Sequence, residues 1–175
     1  MTWTAPTVER TTQIGRLATL PERQMLEGWL TWHRETLLDT CAGLTAAQLV
    51  QPVLHPSNLT LLGLVRHMPE VERSWFRRRF AGEDITRLHT DPEDGDEGIE
   101  GVREANAERD FARYRAETVA CTAAVTGHDL DETCTSAQGA ALSLRWLYVH
   151  MIQEYARHNG HADLLRQHTD GRTNS

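Results

Sequence analysis

The stretch SLRWLYVHMIQEYARHNGHADLLR, residues 143–166, decides the predicted fold. His150, Glu154, His158 and His161 follow one another at steps of 4, 4 and 3. At about 100° per residue these four side chains occupy an arc of roughly 80° on a helix. The apolar residues on or beside this arc are Leu147, Met151 and Leu165, and those on the far side are Arg145, Asn159, Asp163 and Arg166. The polar cluster is therefore predicted to point inward.

An inward group of imidazoles and a carboxylate is costly unless each member is hydrogen-bonded, paired or bound to a metal. Glu154 and His158 are four residues apart, so their Cβ atoms lie about 5–6 Å from each other and can reach one ion. The best third donor is His67, because its apolar neighbours in LLGLVRHMPEVERSWF (61–76) place it on a buried face while Arg66 is expected to face away. This set leaves coordination positions free, as catalytic zinc, nickel or iron sites do. Hydrogen bonding within a helix bundle accounts for the same spacing, so both interpretations stay open.

Three more stretches show the apolar spacing of helices and are bounded by turn or capping residues. The predicted long helices are therefore about 21–41, 57–80, 102–126 and 143–168, with Ser57 or Asn58 as the cap of the second. Thr45 is expected to cap a short additional helix. No strand pair is predicted. We expect an all-α fold, an antiparallel four-helix bundle, forming a single domain over residues 1–175 with its core at about 21–171.

Residues 81–101 contain eight acidic residues and one Arg, together with Pro92 and several glycines. This composition predicts a long, exposed, acidic crossover loop between the second and third helices, with His89 at the surface. A calcium-binding loop is excluded because the third and fifth positions from Asp91 are Glu93 and Gly95.

The composition excludes several functions. All 18 basic residues are Arg, so chemistry that needs a lysine Schiff base or a P-loop lysine is absent. A net charge of −7 argues against a nucleic-acid partner, and three separated cysteines argue against a disulfide framework. The chain shows neither a secretory signal nor a membrane-spanning run, which predicts a cytoplasmic protein without a membrane partner. Its apolar helix faces permit a homodimer.

The segments 61–76 and 143–166 resemble the DinB-like, or YfiT-like, metal-binding four-helix superfamily. LEGWLTWHRETLLDTCAGLT (26–45) and the closing Asp170-Gly171 resemble its actinobacterial branch, which is grouped with mycothiol-dependent S-transferases. The resemblance spans about residues 21–171 and implies metal ligation by His67, Glu154 and His158. Two positions depart from the family pattern, because Glu154 stands where His is more common and His161 where Gln is frequent. His161 therefore either replaces Glu154 as a ligand or lines the pocket as a base.

The resemblance also implies a function. Such enzymes use a divalent metal, with zinc expected first and nickel or iron as alternatives, to bind the thiol of mycothiol or a similar cofactor as its thiolate. A free thiol has a pKa near 8.5 and is mostly protonated at neutral pH. The expected activity is metal-dependent S-transfer to an electrophile in detoxification or biosynthesis, with His161 or His150 carrying the proton. The alternatives are a mycothiol-dependent isomerase, a hydrolase that uses metal-activated water, and a non-catalytic helical bundle that binds a small molecule or partner.

Overall fold

The computed structural model describes residues 2–89 and 101–173, and this part of the chain is mostly helical, as predicted. Its α-helices are α1 (Ile14–Leu17), α2 (Glu22–Cys41), α3 (Ala46–Leu49), α4 (Leu61–Glu72), α5 (Ala107–Val125) and α6 (Leu144–Asp170). A π-helical segment, Arg73–Phe80, continues α4, and a 3-10 turn, Glu104–Asn106, precedes α5. The structure adds a small antiparallel sheet of β1 (Thr133–Thr135) and β2 (Ala141–Ser143), which the sequence analysis did not predict.

Capping residues set the ends of these helices. Thr45 forms a capping box with Gln48, which confirms the predicted short helix α3. The Ser143 side chain accepts from the Trp146 amide at the start of α6, and Gly171 ends that helix in the left-handed conformation, at φ 80°. The predicted start of the second long helix is wrong, because Thr60 is the cap of α4 and accepts from the Gly63 amide.

α6 packs along α2 and also contacts α4, while α4 packs against α5. The core side of α6 contains two residues that the sequence analysis placed on the far side, Asn159 and Arg166. Arg166 donates to the carbonyl oxygens of Thr40 and Ala42, at 2.7 and 2.9 Å, and so satisfies the C-terminal end of α2. These hydrogen bonds compensate for the burial of the guanidinium group.

A second correction concerns polar residues that are buried. Arg66 is fully buried and pairs with Asp110 of α5 at 3.0 Å, instead of facing away from the core. His89 is only 5% exposed and is therefore not a surface residue. Arg66 is thus accommodated in the interior by a partner 44 residues away in the sequence.

Glu72, at the end of α4, is the centre of a buried group of hydrogen bonds that we call the carboxylate cluster: Arg34, Glu72, Tyr114 and Tyr155. Arg34 donates to both carboxylate oxygens of Glu72. The Tyr155 hydroxyl also donates to Glu72, at 2.7 Å, and lies 2.9 Å from the Tyr114 hydroxyl. This cluster connects α2, α4, α5 and α6. It therefore fixes the position of α4 relative to α6, the two helices that carry the predicted metal ligands.

Most of the predicted acidic loop, residues 90–100, lies outside the described residues. The four-helix arrangement and the single-domain boundary stay predictions. In the part of the chain that the structure describes, no helix is long and apolar enough to cross a membrane.

Candidate functional site

The structure brings together four of the residues that the sequence analysis singled out, His67, Glu154, His158 and His161, which we call the histidine cluster. The rings of His67 on α4 and His158 on α6 have centroids 4.9 Å apart. His158 and His161, which share one face of α6, have ring centroids 5.4 Å apart. The Nε2 atom of His158 lies 3.7 Å from a carboxylate oxygen of Glu154. The spacing on α6 thus places Glu154, His158 and His161 close together, and the packing of α4 against α6 adds His67 to them.

Two nitrogens of this cluster are buried without a hydrogen-bond partner among the described residues: Nδ1 of His158 and Nδ1 of His161. A buried polar atom left unsatisfied costs about 1–3 kcal/mol. The neighbouring Asn159 is satisfied only in part, because its amide nitrogen donates to the His33 carbonyl at 3.1 Å while its side-chain oxygen is also buried without a partner in the described structure. The two imidazole nitrogens are metal-binding atoms that no hydrogen bond of the described residues occupies.

The surroundings keep the two facing imidazoles neutral. Burial is the largest of the effects that lower the pKa of His158 to about 4; the neighbouring His67 and His161 also contribute, and Glu154 acts in the opposite direction. Burial also lowers the pKa of His67, although Glu154 and Glu70 partly oppose this. Neutral imidazole is the form that binds metal ions.

The donor types suit a divalent metal, because two neutral imidazoles and a carboxylate are the ligands of many catalytic sites. Within residues 2–89 and 101–173, however, no three His, Cys, Asp or Glu side chains are arranged so that they could hold an ion. The side chains are neighbours without converging on one point. The predicted ligand set of His67, Glu154 and His158 therefore stays a prediction that donor chemistry and unpaired nitrogens support.

His150 lies apart from the other histidines in an aromatic environment. Its ring stacks on Trp146, with centroids 4.8 Å apart and planes at 11°, and meets Trp75 edge-on at 4.9 Å. The sequence analysis placed His150 on the same face of α6 as Glu154 and His158. In the structure this face leads from the histidine cluster to the indole rings.

A cavity of about 320 Å³ adjoins the histidine cluster at His67. Its wall includes Trp75 and Arg78 from the segment that follows α4, and Arg87 and His89 from the chain after that segment. The sequence analysis did not identify this cavity. The lining residues from His67 to Arg78 follow one another at steps of three and four, so the sequence pattern could have indicated one wall of this cavity. No sequence pattern indicates that Arg87 lines it.

A larger cavity of about 540 Å³ lies between α2 and α5. Its lining is mostly apolar and includes Leu38, Tyr114 and Val119, and no histidine of the described residues lines it. Size alone would favour this cavity as a binding site. The smaller cavity is the better candidate because it is the one that contacts a member of the histidine cluster.

A comparison with known protein families bears on this site. A family model described as mycothiol-S-transferase matches residues 25–171, from the first turn of α2 to the glycine that ends α6. The matched region contains the whole histidine cluster and the cavity beside it. No curated protein matches the chain.

Proposed function

The chain belongs to the mycothiol-S-transferase family, and we propose on this basis that it joins the sulfur of mycothiol, or of a similar small thiol, to an electrophilic substrate. In this reaction a carbon–sulfur bond forms and the bond from that carbon to a leaving group breaks. The leaving group departs with the electron pair of the broken bond, and the thiol proton passes to a base. The partners are therefore a small-molecule thiol and a small-molecule electrophile.

The observation that carries the proposal is the approach of His67 to His158 from two different helices, with buried imidazole nitrogens that lack partners. We propose that His67, His158 and Glu154 hold a divalent metal, with zinc expected first and nickel or iron as alternatives. His161 is the alternative third ligand. Such a metal, when bound, supplies one piece of chemistry, which is to favour the thiolate form of a coordinated thiol.

The remaining steps belong to the side chains themselves. His161 has its buried Nδ1 free of hydrogen bonds within the described region, and we assign it the role of proton carrier. His150 is the second candidate for that role, and its stacking on Trp146 fixes the orientation of its ring. Trp75 and the other cavity residues form a space for a substrate beside His67.

Three broader parts of the proposal concern the whole molecule. The pairing of α2 with α6 and of α4 with α5 supports an antiparallel four-helix bundle within one domain. A long acidic crossover would then connect the second and third long helices. We place the protein in the cytoplasm.

Metal content is the first experiment. Purified protein should contain about one equivalent of zinc, nickel or iron, and His67→Ala and His158→Ala should each lose it. His128→Ala is the matched control, because His128 pairs with Glu132 outside the cluster and this variant should keep the metal. Metal retained in both cluster variants, or no metal in wild type after reconstitution, would contradict the proposed site.

Two further variants separate the third ligand from the proton carrier. If Glu154 is the ligand, Glu154→Gln loses metal while His161→Gln keeps it, and the reverse result assigns His161. If His161 carries the proton, His161→Ala keeps its metal but joins mycothiol through its sulfur to 1-chloro-2,4-dinitrobenzene about 100-fold more slowly. Unchanged turnover in a metal-loaded His161→Ala protein would remove that role and leave His150→Ala as the next variant to assay.

A further inference from the structure

The cavity beside His67 is lined by two arginines that have no carboxylate partner among the described residues. Arg78 and Arg87 are exposed, and neither forms an ion pair with a carboxylate of residues 2–89 or 101–173. Arg73 and Arg77, on the same π-helical segment as Arg78, both pair with Glu117, at 2.6 and 2.9 Å. Arg73 and Arg77 thus have a carboxylate partner, whereas Arg78 and Arg87 have none among the described residues.

The part of the cavity wall that the structure describes therefore carries more positive than negative charge. Glu70 is the one carboxylate that lines it among the described residues, and one of its oxygens already accepts from the Leu88 amide at 2.6 Å. Arg78 and Arg87 line the same cavity as this single carboxylate, in a protein whose net charge is −7. A local excess of positive charge in an acidic protein attracts anions to that place.

An aromatic surface lies next to these charges. Trp75 forms part of the wall, and the guanidinium of Arg79 lies 4.9 Å from the centroid of its ring. His67 lines the same cavity. The wall thus combines a member of the histidine cluster, an apolar ring and two arginines without a carboxylate partner in the described structure. A volume of about 320 Å³ suits a small organic molecule.

We propose that this cavity binds the electrophile through a carboxylate of that substrate, which Arg78 and Arg87 hold while its apolar part contacts Trp75. Planar guanidinium groups bind carboxylates through charge-assisted, often paired, hydrogen bonds. Mycothiol contains no carboxylate or phosphate, so the anionic group belongs to the electrophile. This assignment of substrate class rests on the proposed transferase function.

The test compares two electrophiles that differ in one charge, 4-(chloromethyl)benzoate and its methyl ester. In both, the thiol sulfur bonds to the benzylic carbon and chloride leaves with the electron pair of the carbon–chlorine bond. After division by the uncatalysed rates, wild type should have a kcat/KM for the acid about tenfold above that for the ester. The double variant Arg78→Gln/Arg87→Gln should lose this preference through slower reaction of the acid, with the ester unaffected.

The matched control is Arg16→Gln, since Arg16 is an exposed arginine of α1 that lines neither cavity, and this variant should keep the preference. Equal kcat/KM values for acid and ester in wild type would overturn the proposal. Equal losses on both substrates in the double variant would do the same.

A binding measurement separates this proposal from the transferase function. Titration of 4-methylbenzoate, which cannot react, should shift NMR signals of wild type and Arg16→Gln at concentrations about tenfold below those needed for the double variant. The neutral 4-methylbenzamide should bind wild type no better than the double variant. If binding depends on the two arginines but neither chloromethyl compound is turned over, the cavity assignment is kept and the transferase function is rejected. Turnover of both chlorides with binding that does not depend on the two arginines keeps the transferase and rejects the cavity assignment.

Discussion

Two polar clusters lie on the same pair of helices but differ in whether their buried polar atoms are hydrogen-bonded. α4 provides Glu72 to the carboxylate cluster and His67 to the histidine cluster, and α6 provides Tyr155 to the first and His158 to the second. Both oxygens of Glu72 accept hydrogen bonds, whereas Nδ1 of His158 is buried without one in the described structure. Satisfied polar atoms stabilise the fold, and unsatisfied ones cost stability but can bind a ligand. The comparison thus separates structural polar residues from candidate functional ones.

The carboxylate cluster also keeps its arginine charged. Burial by itself lowers the pKa of Arg34, but the charge and hydrogen bonds of Glu72 outweigh burial and hold that pKa above its ordinary value. Arg34 therefore stays charged inside the protein. Removal of one member leaves the other as a buried charge without its counter-ion, which is more costly than the loss of an ordinary contact.

The largest expected effect follows from Glu72→Ala. This substitution should lower the free energy of unfolding by about 3–5 kcal/mol, because it strands Arg34 and removes the acceptor of the Tyr155 hydroxyl. Glu154→Ala is the matched control, since its carboxylate lies 3.7 Å from the neutral imidazole of His158, and it should cost less than about 1 kcal/mol. Urea denaturation of the metal-free proteins, followed by circular dichroism, measures both. Similar losses in the two variants would break the distinction between the clusters.

Mild alkali should destabilise the interior around the carboxylate cluster. Burial raises the pKa of Cys41 to about 12, and burial together with Glu72 and Glu117 raises that of Cys121. The unfolded thiols, with pKa near 8.5, lose their protons first, so stability is complete below that pH and falls as pH rises. The two thiols should together cost about 3 kcal/mol between pH 8.5 and pH 10.

Urea denaturation under reducing conditions at a series of pH values measures this loss. The chain has no lysine, so no lysine titration overlaps with that of the thiols. Burial likewise raises the pKa of Tyr114, and that of Tyr148 to about 12, so tyrosinate absorption at 295 nm should stay low at pH 10 until the protein unfolds. Constant stability up to pH 10 would contradict the burial of these thiols.

A smaller effect is expected for Tyr155→Phe, which deletes the hydrogen bond to Glu72 and the one shared with Tyr114 but leaves Arg34 in place. Hydrogen bonds to charged groups contribute about 1.5–3 kcal/mol, so the loss should be about 2 kcal/mol. Tyr114→Phe removes a bond between two neutral hydroxyls and should cost about 1 kcal/mol. Thermal and urea unfolding of the two variants give this ranking, and the reverse order would show that Glu72 does not depend on the Tyr155 hydroxyl.

The sequence predicted where the long helices run better than it predicted their ends or the short strands beside them. Periodic apolar residues fix where long helices run, but Ser57, Asn58 and Thr60 offer the same capping chemistry, and only packing of the apolar run that follows selects Thr60. The strands β1 and β2 have three residues each, which is too short for a periodic pattern.

Polar burial was the least predictable property. The spacing on α6 indicated that His158 and His161 would be neighbours, since residues three and four apart meet on any helix. It did not indicate that the ring of His150 would lie apart from them, against Trp146. It could not indicate that Arg166 would be buried, because the acceptors are carbonyls of α2. The burial of Arg66 likewise depends on Asp110, a partner 44 residues away.

The smallest effect on stability should come from the histidine cluster itself. His158 forms no hydrogen bond at Nδ1 in the described structure, and its other nitrogen lies 3.7 Å from Glu154. His158→Ala removes some packing against His67 and His161 but also removes a buried, unsatisfied nitrogen, and these two contributions have opposite signs. In the metal-free protein the free energy of unfolding should therefore change by less than about 1 kcal/mol.

Met151→Ala on the same helix is the control, because Met151 is a fully buried apolar side chain and its truncation should cost about 2–5 kcal/mol. Zinc should sharpen the difference between wild type and His158→Ala. A ligand that binds only the folded state at 100 times its Kd raises stability by about 2.7 kcal/mol, so zinc should stabilise wild type and leave the variant unchanged. If His158→Ala instead destabilises the metal-free protein as strongly as Met151→Ala does, His158 is a structural core residue. The contrast between the two clusters would then not reflect function.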